Sequence, residues 1–117
     1  MTEELPLLVH WEKTLGDLLD RTQKFPKVVR FTFSTRIDNH ALDVMELLAE
    51  ARYAVPRRKV ALLAEADALL TRLRVLLRLS HDRRHLDRQG FEHVAKNLDE
   101  AGRMLGGWRQ QQQRAAP

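Results

Sequence analysis

The segment Arg57–Arg84, RRKVALLAEADALLTRLRVLLRLSHDRR, constrains this chain more than any other stretch. It holds neither glycine nor proline, so nothing in it interrupts a helix. Leu62, Leu63, Ala66, Leu69, Leu70, Leu73, Leu76 and Leu77 recur at offsets of three and four, which is one face of a 3.6-residue period. Val75 and Leu79 fall outside that face, so the helix is expected to touch its own bundle and something further, such as another subunit. At 1.5 Å per residue it spans roughly 40 Å.

Three further helices are expected around it. Leu8, Trp11, Leu15, Leu18 and Thr22, widened by Leu7 and Leu19, carry the same period over residues 5–24. Pro6 fits the first turn, and Phe25-Pro26 ends the pattern. Pro26–Phe31 reads as a connector, and Thr32 or Ser34 as the cap of a helix over 32–54 with a stripe of Ile37, Ala41, Val44, Leu48 and Ala51. Pro56 opens the long third helix over 57–83, and a break this short makes helices two and three antiparallel neighbours. Asp87 caps a fourth helix over 88–112, whose stripe is Phe91, Val94, Leu98, Ala101, Leu105 and Trp108. Gly106-Gly107 predicts fraying or a kink there, and residues 113–117 a solvated tail. With 117 residues, no strand pattern and no repeat, the expected fold is all-α: an antiparallel up-down-up-down four-helix bundle in one domain over residues 1–117.

Composition narrows the function. No run reaches the length of a membrane span, and the acidic MTEELPLLVHWEK start lacks the basic region of a secretory signal, so a cytoplasmic protein without membrane association is expected. Absence of cysteine removes disulfides and thiolate metal sites. His81, His85 and His93 have an i, i+4 pair among them, but Arg83 and Arg84 oppose a cation and no HExxH is present. The carboxylates Glu46, Glu50, Glu65, Asp67, Asp99 and Glu100 form no Glu-x-x-His pair, and no serine or threonine sits in a nucleophile motif. The chain is therefore read as non-enzymatic, with no catalytic residue, metal or cofactor. Gly102-x-x-x-Gly106 reads as helix packing, and Trp11, Trp108, Phe91 and Phe33 as core.

What remains is charge. The net +4 is uneven: residues 1–25 are net −2, 26–54 neutral, 55–84 net +5 and 85–117 net +1. The surplus lies on helix three, in Arg72, Arg74 and Arg78 along it and Arg57, Arg58, Lys59, Arg83 and Arg84 at its ends. These eight residues are the candidate contacts for nucleic acid or an acidic protein face. Arg74 and Arg78 share a face one turn apart and suit phosphate, unless they pair with carboxylates of the protein itself, for example on helix one.

Four segments in order carry a resemblance: Phe25-Pro26-Lys27 with Arg30-Phe31-Thr32, then Ala41-Leu42-Asp43-Val44-Met45-Glu46-Leu47-Leu48, Leu73-Arg74-Val75-Leu76-Leu77-Arg78-Leu79, and Gly102-Arg103-Met104-Leu105-Gly106-Gly107-Trp108. From Leu5 to Arg109 the chain resembles the accessory variability determinant (Avd) proteins of diversity-generating retroelements. These lie within a wider four-helix family that includes proteins encoded in ribosomal-RNA intervening sequences. The resemblance implies a homopentameric basic barrel that binds RNA and DNA and associates with the element's reverse transcriptase during mutagenic copying of template RNA into cDNA. It places the LRxLLR pattern on Arg74 and Arg78 and makes Gly102–Trp108 structural. The intervening-sequence relatives leave a second expectation open: an oligomeric scaffold of unknown partner whose charge only solubilises it.

Overall fold

Four apolar stripes in one chain have a simple solution, which is to turn every stripe inward. The computed structural model describes residues 4–115 and does so. Helix α1 spans Glu4–Thr22, α2 Thr35–Tyr53, α3 Pro56–Asp82 and α4 Arg88–Ala115, and no strand occurs among the described residues. Each helix packs on the next and α1 closes on α4, giving an up-down-up-down bundle 49 Å long and 24 by 19 Å across. The core takes Leu7, Trp11, Leu15 and Leu18 from α1 and the whole Ile37-Ala41-Val44-Leu48-Ala51 stripe from α2. From α3 come Leu62, Leu63, Ala66, Leu69, Leu70, Leu73 and Leu77, and from α4 Val94, Leu98, Ala101, Leu105 and Trp108. Leu8, Leu76 and Phe91 are only partly buried at its edge.

Both tryptophans are fully buried but differ in polarity. Trp11 Nε1 donates to the Ala41 carbonyl at 3.0 Å, whereas Trp108 Nε1 is buried without an acceptor. The shape of Trp108 rather than its N–H holds it there.

Three local expectations need correcting. The stretch between α1 and α2 is not a plain connector capped by Thr32 or Ser34. After Pro26 it forms a 3-10 turn, Lys27–Val29, and a π turn, Arg30–Ser34, that runs straight into α2. Ser34 is itself helical and makes no side-chain cap, because the turn before it already occupies the N–H groups a cap would satisfy. Thr32 instead donates to the Val29 carbonyl at 3.3 Å, and Thr35 to the Arg30 carbonyl at 2.7 Å. Secondly, α4 passes through Gly106-Gly107 without a break and continues to Ala115. Two helix glycines cost about 2 kcal/mol. The fully buried Trp108 that follows outweighs them, since truncating such a residue typically costs about 3–5 kcal/mol. The expected tail from 113 is therefore helical through Ala115, and its last residues, 116–117, lie outside the described residues. Thirdly, Gly106 packs against nothing. Gly102 does make a close approach, to an arginine side chain rather than to a helix backbone.

The α3–α4 corner is built by sequence-local rules. Arg84 N–H bonds to the His81 carbonyl and His85 N–H to the Ser80 carbonyl at 2.8 Å, with Arg84 at φ 65°. This is a Schellman ending with arginine in the left-handed position that glycine usually fills. Asp87 then caps α4, accepting from the Gly90 N–H at 2.7 Å.

Candidate nucleic-acid interface

Helix α3 runs the length of the bundle, so its cations are spread over both ends and the middle, and each meets a different environment. In the middle, Arg74 crosses to α4: its Nη2 donates to the Leu98 carbonyl at 3.4 Å and lies 3.7 Å from Asp99. It covers Gly102 so closely that a Cβ there would come within 2.6 Å of the same nitrogen. Arg78 reaches Asp82 of its own helix at 3.7 Å. Both pair with carboxylates, on α4 and α3 rather than on helix one, and both remain substantially exposed, Arg74 at 44% and Arg78 at 60%. Exposed pairs of this kind are worth at most about 1 kcal/mol, so a phosphate can compete for either arginine. Below them lies an apolar groove formed by Val75, Leu77, Phe91, Ala95 and Leu98.

Arg72 points to the opposite side, into a cleft between α2 and α3 lined by Asp43, Glu46, Glu50 and Glu65. An anion would meet four carboxylates there. His40, in the adjoining shallow cleft with Arg36 and Arg72, is held below the usual imidazole range by its burial first and then by Arg72, with Asp43 opposing and Arg36 adding a smaller push.

The ends differ. At the α2–α3 turn Arg58 is engaged with Glu50 at 3.3 Å, while Arg57 and Lys59 have no ion-pair partner among the described residues. At the other end Arg83 and Arg84 are exposed and unpaired among the described residues. Here the structure adds three cations outside the eight candidate contacts: Lys24, Lys27 and Arg30 join them, exposed and also without an ion pair among the described residues. The α1–α2 segment and the α3–α4 corner are held together by His85, whose ring lies 5.8 Å from Phe25 and 5.4 Å from Phe33. A signal for these residues exists. No acidic residue occurs between Asp20 and Asp38, whereas Arg21, Lys24, Lys27, Arg30 and Arg36 do. Dividing the chain near Phe25 splits that run between a net-acidic and a neutral segment and conceals it.

The histidines go to separate partners. His81 stacks on Phe91 at 4.8 Å and its Nδ1 lies 3.0 Å from the Leu86 carbonyl, His85 sits between the two phenylalanines, and His93 is beside Asn97 and Asp17. The corner that His81 and His85 occupy is aromatic, whereas His93 has polar neighbours. Among the described residues no cluster of three or more His, Cys, Asp or Glu has metal-binding geometry, and no helix is long and apolar enough to cross a membrane.

In comparison with known proteins, a family model described as bAvd-like matches residues 8–112. No curated protein and no solved structure matches.

Proposed function

The chain belongs to the bAvd-like family, and we propose on that footing that it is a non-enzymatic accessory subunit of a diversity-generating retroelement. In this reading it assembles as a homopentamer, associates with the element's reverse transcriptase and holds template RNA and cDNA through their phosphates. The observation that carries the nucleic-acid part is the set of cations without a carboxylate partner among the described residues, at both ends of α3: exposed Arg57 and half-buried Lys59 at one, exposed Arg83 and Arg84 at the other. Bundle helices offer no loop or strand platform to read base edges, so affinity comes from phosphate neutralisation with little sequence preference. A second reading, an oligomeric scaffold with solubilising charge, draws support from Arg58, Arg74 and Arg78, which are engaged with Glu50, Asp99 and Asp82.

One experiment separates the two. The region beside the gene is searched for a reverse transcriptase, one found there is co-purified with the protein, and binding to RNA and DNA is titrated with salt. The accessory role gives a stable complex and a linear fall of log affinity with log salt. A protein that retains neither partner at low salt is the scaffold.

A further inference from the structure

We propose that the end of the bundle formed by the Pro26–Ser34 segment and the α3–α4 corner is a site selective for single-stranded nucleic acid. Lys24, Lys27, Arg30, Arg83 and Arg84 contact phosphates there, and Phe31 stacks on a base. The inference rests on the nucleic-acid reading above and goes beyond it in giving the place and the strand preference.

Four observations meet at this end. The first is charge that the protein does not use. The five cations are unpaired among the described residues, while the nearby carboxylates are occupied: Asp38 accepts from Thr22 at 2.6 Å, Asp82 pairs with Arg78, and Asp87 caps Gly90. Asp20, one turn before Lys24, is the exposed exception. The second is proximity. His85 wedged between Phe25 and Phe33 joins the two segments, and the 24 by 19 Å cross-section bounds the whole end. The third is Phe31, 83% exposed. The α2 stripe continued backwards from Ile37 reaches Ser34 and Phe33, which leaves Phe31 on the outer side. The π turn that carries it is pinned by the Thr35 and Thr32 hydroxyls, and π turns are frequent at functional sites. The fourth is Arg84. Holding a non-glycine residue at φ 65° costs roughly 1–2 kcal/mol. Arginine stands where glycine would be easier, and its charge is exposed there.

The type of ligand follows from the shape. Phe31 stands between Arg30 and Thr32, outside the cleft that Lys27 and Arg30 line with Thr22, Phe25 and Asp38, and Val28 is the other exposed apolar side chain of the segment. Protein hot spots are instead aromatic anchors in packed, desolvated pockets. A lone aromatic face among cations is the arrangement that stacks a base while the strand's phosphates are neutralised. Base faces are covered in a duplex and open in a single strand or loop, which sets the preference.

The test uses the full chain and three labelled ligands of equal length: a single strand, its duplex and an abasic single strand. Their affinities are read by fluorescence anisotropy across a salt series. The single strand is expected to bind tightest. Phe31→Ala is expected to weaken single-strand binding on the order of tenfold while leaving abasic affinity and salt slope unchanged, and Phe31→Trp to restore it. Arg84→Gly is expected to fold with equal or higher melting temperature and to flatten the slope by about 0.7, the share of one single-strand phosphate. Phe31→Ala binding like wild type, or Arg84→Gly keeping the full slope, overturns the site and leaves the accessory role standing. Wild-type protein that binds none of the three overturns the site together with the nucleic-acid reading on which it rests. Binding to phosphatidylserine vesicles through Phe31 in place of the oligonucleotides assigns the patch to lipid and overturns the inference.

Discussion

His40 shows how a single side chain reports on the surface around it. Its burial and the facing Arg72 and Arg36 disfavour the imidazolium, and Asp43 offsets them only in part. The folded protein therefore takes up this proton at lower pH than the unfolded chain, for which 6.5 is the usual value. Above that pH both states are neutral at His40 and it contributes no pH dependence. As pH falls below 6.5, the unfolded chain is protonated first and stability drops until the folded pKa is also passed. Denaturant titrations between about pH 7.5 and 5.5 are expected to show wild type losing stability more steeply than His40→Gln. Parallel curves would remove the assignment. The same logic separates Arg72 from the other arginines of α3. It faces His40 and the carboxylates Asp43, Glu46 and Glu50 of α2 beside Glu65 of its own helix, so most of its setting comes from another element.

At the scale of helices, the apolar periods were legible because burial on one face is a local repeat. The stripe Ile37, Ala41, Val44, Leu48, Ala51 is buried at every position, and so are seven of the eight α3 positions, Leu76 being half-buried. Asp87 was equally legible, since a cap is decided within four residues. Replacing it by Ala is expected to cost about 1 kcal/mol in equilibrium unfolding, with Asp87→Asn close to wild type. An Ala variant as stable as wild type would show that the Gly90 N–H is satisfied in another way. What escaped was whatever depends on a second element. The partner of Arg74 is on α4, and the cations that accompany Arg83 and Arg84 come from the segment before α2, fifty residues and more away in the chain. The π turn escaped for a different reason. Its sequence, Arg30–Ser34, has the threonines and serine of a cap, and only the continuation of backbone hydrogen bonds into α2 distinguishes the two.

For the whole molecule, the bundle hides its stripes and still leaves apolar surface on α3. Val75 is 43% and Leu79 36% exposed, on the side of the helix turned away from the core, and Leu42 of α2 is exposed as well. One bundle has no further use for these positions, whereas a neighbouring copy would cover them. Assembly would also change the electrostatics. A closed ring repeats the basic end once per subunit, and a strand held by one end is presented to the next at high effective concentration. Affinity would then exceed that of a single copy without any new kind of contact, and the salt slope would rise with the number of ends engaged. Light scattering at micromolar concentration is expected to give five times the 13.6 kDa chain mass. Val75→Glu with Leu79→Glu should return a helical monomer that binds single strands more weakly and with a shallower salt slope. Wild-type protein that scatters as a monomer removes the pentamer. A double variant that stays assembled shows instead that the copies meet on another face, and exposed Leu42 of α2 is then the next position to substitute.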